Sequence, residues 1–331
     1  MALTLLLMVV KVQAFKKKER LLITGVNGFV GQNFVMRSCH LQNYDVIVSA
    51  RGHKKVFSEM EYVHADLRDF EACVSLCNEV ETVLHLAGVM MTSSAMQNGG
   101  NNFARDNTAV HLNMAKAASK VGVKKYIWMS STTGYPVLPA PANEDSFLSG
   151  PVPARYLEVG ELYRQLESIV LRQFSGLPTS VVTLRPTGVY GELDDFTTAS
   201  GHVLPAFIGK YLNGETPKEI FADKLERRDW IYVGDVVQAL DLVLQKVTTS
   251  QTMNIGSGHT ISMYDLYTLL LDALGSRDGP KIVDGAFDPK SALDRCIDCS
   301  YSRKVLGDYQ KVGIKEGLAK TISWFKSAGE E

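Results

Sequence analysis

The 331-residue chain has no long hydrophobic run. Its most apolar stretch, Ala2 to Val10, stops at Lys11, far short of the roughly 20 residues a helix needs to cross a bilayer, so no membrane span is expected. Nor is there an excess of one charge: 35 lysines and arginines face 36 aspartates and glutamates, for a formal net charge of −1. A phosphate backbone needs a surplus of cations, so nucleic acid is not an expected partner. Cysteine is sparse. Cys39, Cys73, Cys77, Cys296 and Cys299 form an odd, scattered set, which suits a reducing compartment better than a secreted disulfide framework. Cys296-Ile-Asp-Cys299 has no second Cys or His pair to complete four zinc ligands, so no metal site is expected. Internal repeats, low-complexity tracts and N-x-S/T glycosylation acceptors are also absent.

The N-terminus admits two readings. The apolar run has the length of a signal-peptide core, and Val12-Gln13-Ala14 would pass as a cleavage site. No basic residue precedes it, however, and Lys11 interrupts it. The reading adopted is an extension, residues 1–18, on a cytoplasmic protein.

What the chain does contain, from Glu19 onward, is short apolar runs alternating with helical stretches: Arg20 to Thr24, Asp45 to Ala50, Thr82 to Ala87, Tyr126 to Ser130 and Ser180 to Arg185. This alternation predicts an α/β fold, a Rossmann-type doubly wound parallel sheet covered on both faces. After Gly191 the rhythm changes to a loop-rich stretch and further helices, predicting a smaller C-terminal substrate domain at the open end of the sheet. The expected division is residues 19–190 plus about 228–256 for cofactor binding, and 191–227 plus 257–331 for substrate.

Thr24-Gly25-Val26-Asn27-Gly28-Phe29-Val30-Gly31 follows the first strand and opens a helix. Glycines at this spacing let backbone N–H groups and a helix N-terminus approach a pyrophosphate, so NAD or NADP is the expected cofactor. At the end of the second strand, where an acidic residue would bind a ribose 2′-hydroxyl, stands Ser49-Ala50-Arg51, followed by Lys54 and Lys55. Arg51 suits a 2′-phosphate and so favours NADP, with NAD possible.

Ala65-Asp66-Leu67-Arg68-Asp69 and Leu84-His85-Leu86-Ala87-Gly88 end the third and fourth strands. Further along come Asn107, Met129-Ser130-Ser131-Thr132-Thr133-Gly134-Tyr135, Leu184-Arg185-Pro186-Thr187-Gly188-Val189-Tyr190-Gly191, Arg228-Asp229-Trp230-Ile231-Tyr232 and Met253-Asn254-Ile255-Gly256-Ser257-Gly258. With the glycine turn, these make the chain resemble the extended short-chain dehydrogenase/reductases of the nucleotide-sugar epimerase/dehydratase branch. The resemblance implies that Asp66 and Leu67 border the adenine. It also implies that Leu86, Ala87, Gly88, Asn107 and Pro186 line the cofactor, and that Ser131 is the active-site hydroxyl. Arg228 would contact a nucleotide-sugar phosphate, and the protein would be a homodimer. Thr132 and Thr133 stand where the dehydratases carry acidic residues, so dehydration is not expected.

The family's Tyr-x-x-x-Lys motif is missing: none of the 13 tyrosines has lysine four residues later. In the family that lysine lowers the tyrosine pKa and holds the nicotinamide ribose. Two alignments of the stretch from Ala154 to Ser168 compete. One keeps Tyr156 as the acid/base and puts Gly160 in the lysine slot. The other anchors on Glu167, putting Val159 in the tyrosine slot and Tyr163 in the lysine slot. Tyr156, Gly160, Tyr163 and Glu167 are expected to share one helical face. An unassisted tyrosine, with pKa about 10, is ionised roughly once in a thousand molecules at pH 7. The expected activity is therefore an NADP-preferring oxidoreductase or epimerase of a nucleotide sugar, using Ser131 with Tyr156 or Tyr163. The alternative is a catalytically silent, cofactor-binding subunit with a regulatory or assembly role.

Overall fold

The computed structural model describes residues 17–52, 60–89, 101–139, 141–197, 203–214, 220–221, 226–276, 282–283 and 294–328. The N-terminal apolar run, Lys54, Lys55, Gly201 and His202 lie outside these residues. The first half of the chain runs β1 (Glu19–Thr24), α1 (Phe29–Arg37), β2 (Tyr44–Ala50), β3 (Glu61–His64), α2 (Phe70–Cys77), β4 (Thr82–His85), α3 (Asn101–Val121), β5 (Lys125–Met129), α4 (Leu157–Gln173) and β6 (Ser180–Pro186). Then come β7 (Gly188–Tyr190), α5 (Val203–Leu212), β8 (Ile220–Phe221), β9 (Arg227–Tyr232), α6 (Val233–Lys246), β10 (Gln251–Ile255), β11 (Thr260–Ser262), α7 (Met263–Leu274), β12 (Ile282–Val283), β13 (Asp294–Arg295), α8 (Ser300–Leu306) and α9 (Ile314–Ala328).

Side chains in a strand alternate between its two faces, and β1 is apolar on both. Leu21 and Ile23 pack with Val26 and Phe34 on one side, together with Val236, Leu240 and Val243 of α6. Leu22 packs on the other with Cys73 and Leu76 of α2 and Met114 of α3. A strand that is buried on both faces belongs at the centre of a parallel sheet. The seven-stranded sheet runs β10-β6-β5-β4-β1-β2-β3, with parallel pairing throughout. Its order reverses between β1 and β4, and the crevice at their carboxyl ends is where ligands of such sheets bind. The cysteines are free. Burial pushes the Cys73 and Cys77 thiols on α2 up to about 12, as befits core residues.

A second sheet joins β9 to β11, β13 and β7. Arg227 to Tyr232 therefore pair outside the main sheet, whereas α6, the next element in the chain, packs back onto it. The C-terminal helices α7 and α9 build a separate core with Tyr190, Leu204 and Tyr232. Among the described residues, no helix is long and apolar enough to cross a membrane.

One buried ion pair fastens α4 to the sheet. Arg185 of β6 donates from Nε to Glu167 Oε1 at 2.8 Å and from Nη2 to Oε2 at 2.7 Å. Ser130 Oγ also donates to Glu167. Nη1 of the same arginine donates to the Tyr135 hydroxyl at 2.9 Å, and that hydroxyl donates to Asn254 Oδ1 at 2.7 Å. Leu162, Leu166 and Val170 form the apolar stripe of α4 against the same sheet face. Removing one member of a buried pair strands the other charge. Glu167→Ala is therefore expected to cost about 3–5 kcal/mol, read as a lower denaturant midpoint. Lys124→Ala, which breaks an exposed pair with Glu81, should leave the midpoint nearly unchanged.

Candidate active site

The glycine turn is as tight as its sequence implies. Gly25 has φ +74°, and a Cβ there would lie 2.6 Å from Ala87 Cα. At Gly31 a Cβ would meet Gly25 O at 2.2 Å, so the helix sits directly on the turn. Gly28 is the N-cap of α1, with no side chain capping it and no acidic residue in the first turn. The free amides of that turn and the helix dipole thus face the crevice, a fit for a pyrophosphate.

Two cavities adjoin across this turn. One, of about 490 Å³, is lined by Gly25, Asn27, Gly28, Arg51, Asp66 and Leu67. The other, of about 480 Å³, is lined by Phe29, Val30, Ser131, Tyr156, Tyr163, Pro186 and Arg228. Leu86, Ala87 and Gly88 border both, so a dinucleotide crossing from one to the other passes over β4's end. Arg68 hydrogen-bonds Asp66 at 2.6 Å and holds its carboxyl down to about 2, with a smaller contribution from Arg51. Asp45, at the opposite end of β2, is paired with Arg20 at 3.3 Å. Gly31 and Asn107 do not line either cavity. Gly31 lies beneath the turn, and Asn107 clamps the Val89 backbone, donating to Val89 O at 2.8 Å and accepting from Val89 N at 3.0 Å.

The expected common face of Tyr156, Gly160, Tyr163 and Glu167 is broken up. Ala154–Tyr156 is a 3₁₀ turn and α4 begins at Leu157, so Tyr156 precedes the helix that would align it with Gly160. Tyr156 and Tyr163 reach the cavity. Gly160 instead rests on the Ser131 loop, where a Cβ would lie 2.5 Å from Val152 Cγ1 and 2.7 Å from Thr133 O. Glu167 is engaged with Ser130 and Arg185. Ser131 Oγ accepts from Thr133 N at 3.2 Å and shares a 2.9 Å hydrogen bond with Thr133 Oγ1. Burial raises the Tyr163 hydroxyl pKa above its ordinary value.

No lysine lines either cavity among the described residues. Lys124 adjoins the amino end of β5, remote from Ser131, and pairs with Glu81 at 2.8 Å. Arg164 donates to Gly134 O and Gly150 O. The positive charge comes from elsewhere. Parallel pairing of β13 with β9 sets Arg295 beside Arg228. Arg228 and Arg155 pair with Glu226 at 2.9 and 2.8 Å, and Arg295 lies over the Tyr156 ring at 4.3 Å. The Tyr156 hydroxyl is 3.4 Å from Glu226 Oε1. Burial by itself would raise the Glu226 pKa, but the hydrogen bonds and charges of Arg228 and Arg155 bring it below the usual value. Three guanidiniums around one carboxylate leave this end of the cavity positive, which suits a diphosphate.

At the other end the wall is neutral. Thr24 Oγ1 and His85 Nδ1 are 2.7 Å apart, and His85 Nε2 and His111 Nδ1 are 3.0 Å apart. Burial takes the His85 pKa well below its usual value and lowers that of His111 to about 4, so both are uncharged at neutral pH. His111 Nε2, Trp230 Nε1 and Arg295 Nη1 are buried donor atoms without a partner in the described structure, and all three residues line this cavity. Such atoms are costly to bury unless a ligand meets them.

The sequence did not single out Glu226, Trp230, His111 or Arg295 as site residues. Arg295 reaches the site through β-sheet register, for which nothing local in the sequence gives a signal. His111 lies one helical turn beyond Asn107, a spacing that would have flagged it.

Comparison with known proteins agrees with this geometry. Residues 21–256 match the NAD dependent epimerase/dehydratase family. The UDP-glucose 4-epimerase of Mycolicibacterium smegmatis is 29% identical over 325 residues, covering 94% of this chain and 100% of that one. The UDP-glucose 4-epimerase of Thermotoga maritima, solved with UDP-glucose, superposes with a TM-score of 0.80 at 25% identity, covering 93% of this chain and 99% of that one. MoeE5, solved with UDP-glucuronic acid and NAD, gives 0.79 at 25% identity with the same coverage. With its reversed parallel sheet, glycine turn and adjoining cavities, the chain belongs to the NAD dependent epimerase/dehydratase family.

Proposed function

We propose that the protein is an NAD(P)-dependent oxidoreductase or epimerase of a nucleotide sugar. The observation that carries this reading is one cavity beside the glycine turn lined together by Ser131, Tyr156, Arg228 and Arg295. Arg228 holds the diphosphate, and the sugar lies against Ser131 and Tyr156. A nicotinamide cofactor bound at the glycine turn would supply or accept the hydride at the sugar carbon. Tyr156 carries the proton at the sugar oxygen, and Ser131 hydrogen-bonds the same oxygen. Arg295 packs on the Tyr156 ring, and the Tyr156 hydroxyl donates to Glu226 Oε1 at 3.4 Å. Tyr163 packs in the wall and is the second candidate for the proton.

NADP is the proposed preference, supported by Arg51 in the adenine-side cavity and by Asp45 standing at the wrong end of β2 to bind a ribose. NAD is the alternative, by analogy with the MoeE5 complex. A homodimer is proposed through α4, which leaves Leu157 and Leu171 exposed. The second reading, a silent cofactor-binding subunit, draws on the filled Gly160 site and the absence of lysine from the cavity walls among the described residues.

Turnover by purified protein with NADP(H) or NAD(H) on UDP-, GDP- and dTDP-sugars decides between the two readings. Cofactor binding with no turnover across the panel would favour the silent subunit. Tyr156→Phe is expected to lower kcat by about 10²–10⁴ while sparing cofactor affinity, and Tyr163→Phe by less than about tenfold. If activity survives both changes, no tyrosine carries the proton. Arg51→Ala should weaken NADP by about tenfold or more and NAD by no more than about twofold. Equal losses would refute the NADP assignment.

A further inference from the structure

A buried hydrogen-bond chain couples the tautomer of His111 to the Thr24 hydroxyl proton. Thr24 Oγ1 accepts from Ala87 N at 3.4 Å, and its other neighbour is His85 Nδ1 at 2.7 Å. If Thr24 donates its single hydroxyl proton to His85 Nδ1, each hydrogen bond along the chain has one donor and one acceptor, and only the outermost atom, His111 Nε2, is left without a partner. His85 Nε2–H then donates to His111 Nδ1, and the proton of neutral His111 is left on Nε2. Thr24, His85 and His111 are 0, 1 and 2% exposed, so water does not compete along this chain.

The donor it presents is placed where the two cavities meet. A Cβ on Gly88 would lie 3.9 Å from His111 Nε2, and Gly88 borders both cavities. Tyr163, the residue in the lysine slot when Glu167 is the anchor, has its ring 6.4 Å from that of His111. Nε2 has no acceptor among the described residues.

We infer that His111 Nε2–H is a cofactor-binding donor, taking a hydroxyl oxygen of the nicotinamide riboside half, with Thr24 and His85 as positioning residues that set its tautomer. This rests on the NAD(P) reading above. A dinucleotide with its adenosine by Arg51 and its pyrophosphate at the Gly28 turn continues past Gly88, and His111 is the donor there. In the resembled family a lysine ammonium holds that ribose. Here a neutral imidazole holds it from another helix, while positive charge is concentrated at Arg228 and Arg295.

The test is binding, independent of turnover. Titration with NADPH and NADH is compared with titration by ADP, which lacks the nicotinamide riboside. His111→Leu should weaken the dinucleotides by about five- to tenfold and leave ADP unchanged. His111→Gln, whose amide reaches the Nε2 position, should stay within about threefold of wild type. Equal dinucleotide binding by His111→Leu, an equal loss for ADP, or an equal loss in both variants overturns the inference. If the wild-type protein binds neither dinucleotide, the cofactor reading fails and this inference with it. Should His111→Leu not fold, nitrogen-15 NMR of histidine in the wild-type protein still decides. Both rings should be in the Nε2–H form, and NADPH or NADH but not ADP should shift the His111 Nε2 resonance. An Nδ1–H form or an unmoved resonance overturns it.

Discussion

The buried pair of Arg185 and Glu167 sets where the rest of the site lies. It joins a sheet strand to the helix that carries Tyr163, and through Ser130 and Tyr135 it also fixes the loop that presents Ser131. Bidentate geometry allows little sliding of the helix along the sheet. With that register fixed, Gly160 falls against Thr133 and Tyr163 falls at the cavity wall. The charges sit so deep that the pair is a poor source of net stability, yet breaking it is expensive. Its contribution is to specify one register.

Charge is divided unevenly along the ligand cavity. The wall near Gly88 is built of uncharged histidines and a buried phenol, whereas Arg228 and Arg295, backed by Arg155 and Glu226, gather around Tyr156. Attraction for an anion is thus concentrated beside Tyr156, and the wall near Gly88 offers directional hydrogen bonds. Low dielectric strengthens both kinds of contact, and it makes each unpartnered donor a cost until a ligand arrives.

Features carried by neighbouring residues were legible in the sequence. The β1 apolar run, the glycine turn and the Asp66-Leu67 and Leu86-Ala87-Gly88 segments each occupy a few consecutive residues, in or just beyond the strands of the parallel sheet. Strand ends were less clear. The fourth strand stops at His85 instead of Ala87, although Leu86 N still bonds Thr24 O at 3.3 Å before the chain turns away. Arg295 was not legible, because only pairing with β9 brings it to Arg228. The role of Gly160 was hidden for a related reason. A glycine in a helix reads as a weak point, and only the packed structure reveals a neighbour too close for any side chain.

That contact also constrains the routes by which this sequence can change. Lysine at Gly160 would pair with Tyr156 in sequence but has no space at its first carbon. Lysine at Tyr163 has space facing the cavity, but the residue four positions before it is Val159, which packs in the core with no hydroxyl. Neither single substitution yields a working tyrosine and lysine pair, and the open route requires both Val159→Tyr and Tyr163→Lys. Each intermediate on that route gives up core packing without gaining the pair, so the two changes are useful only together.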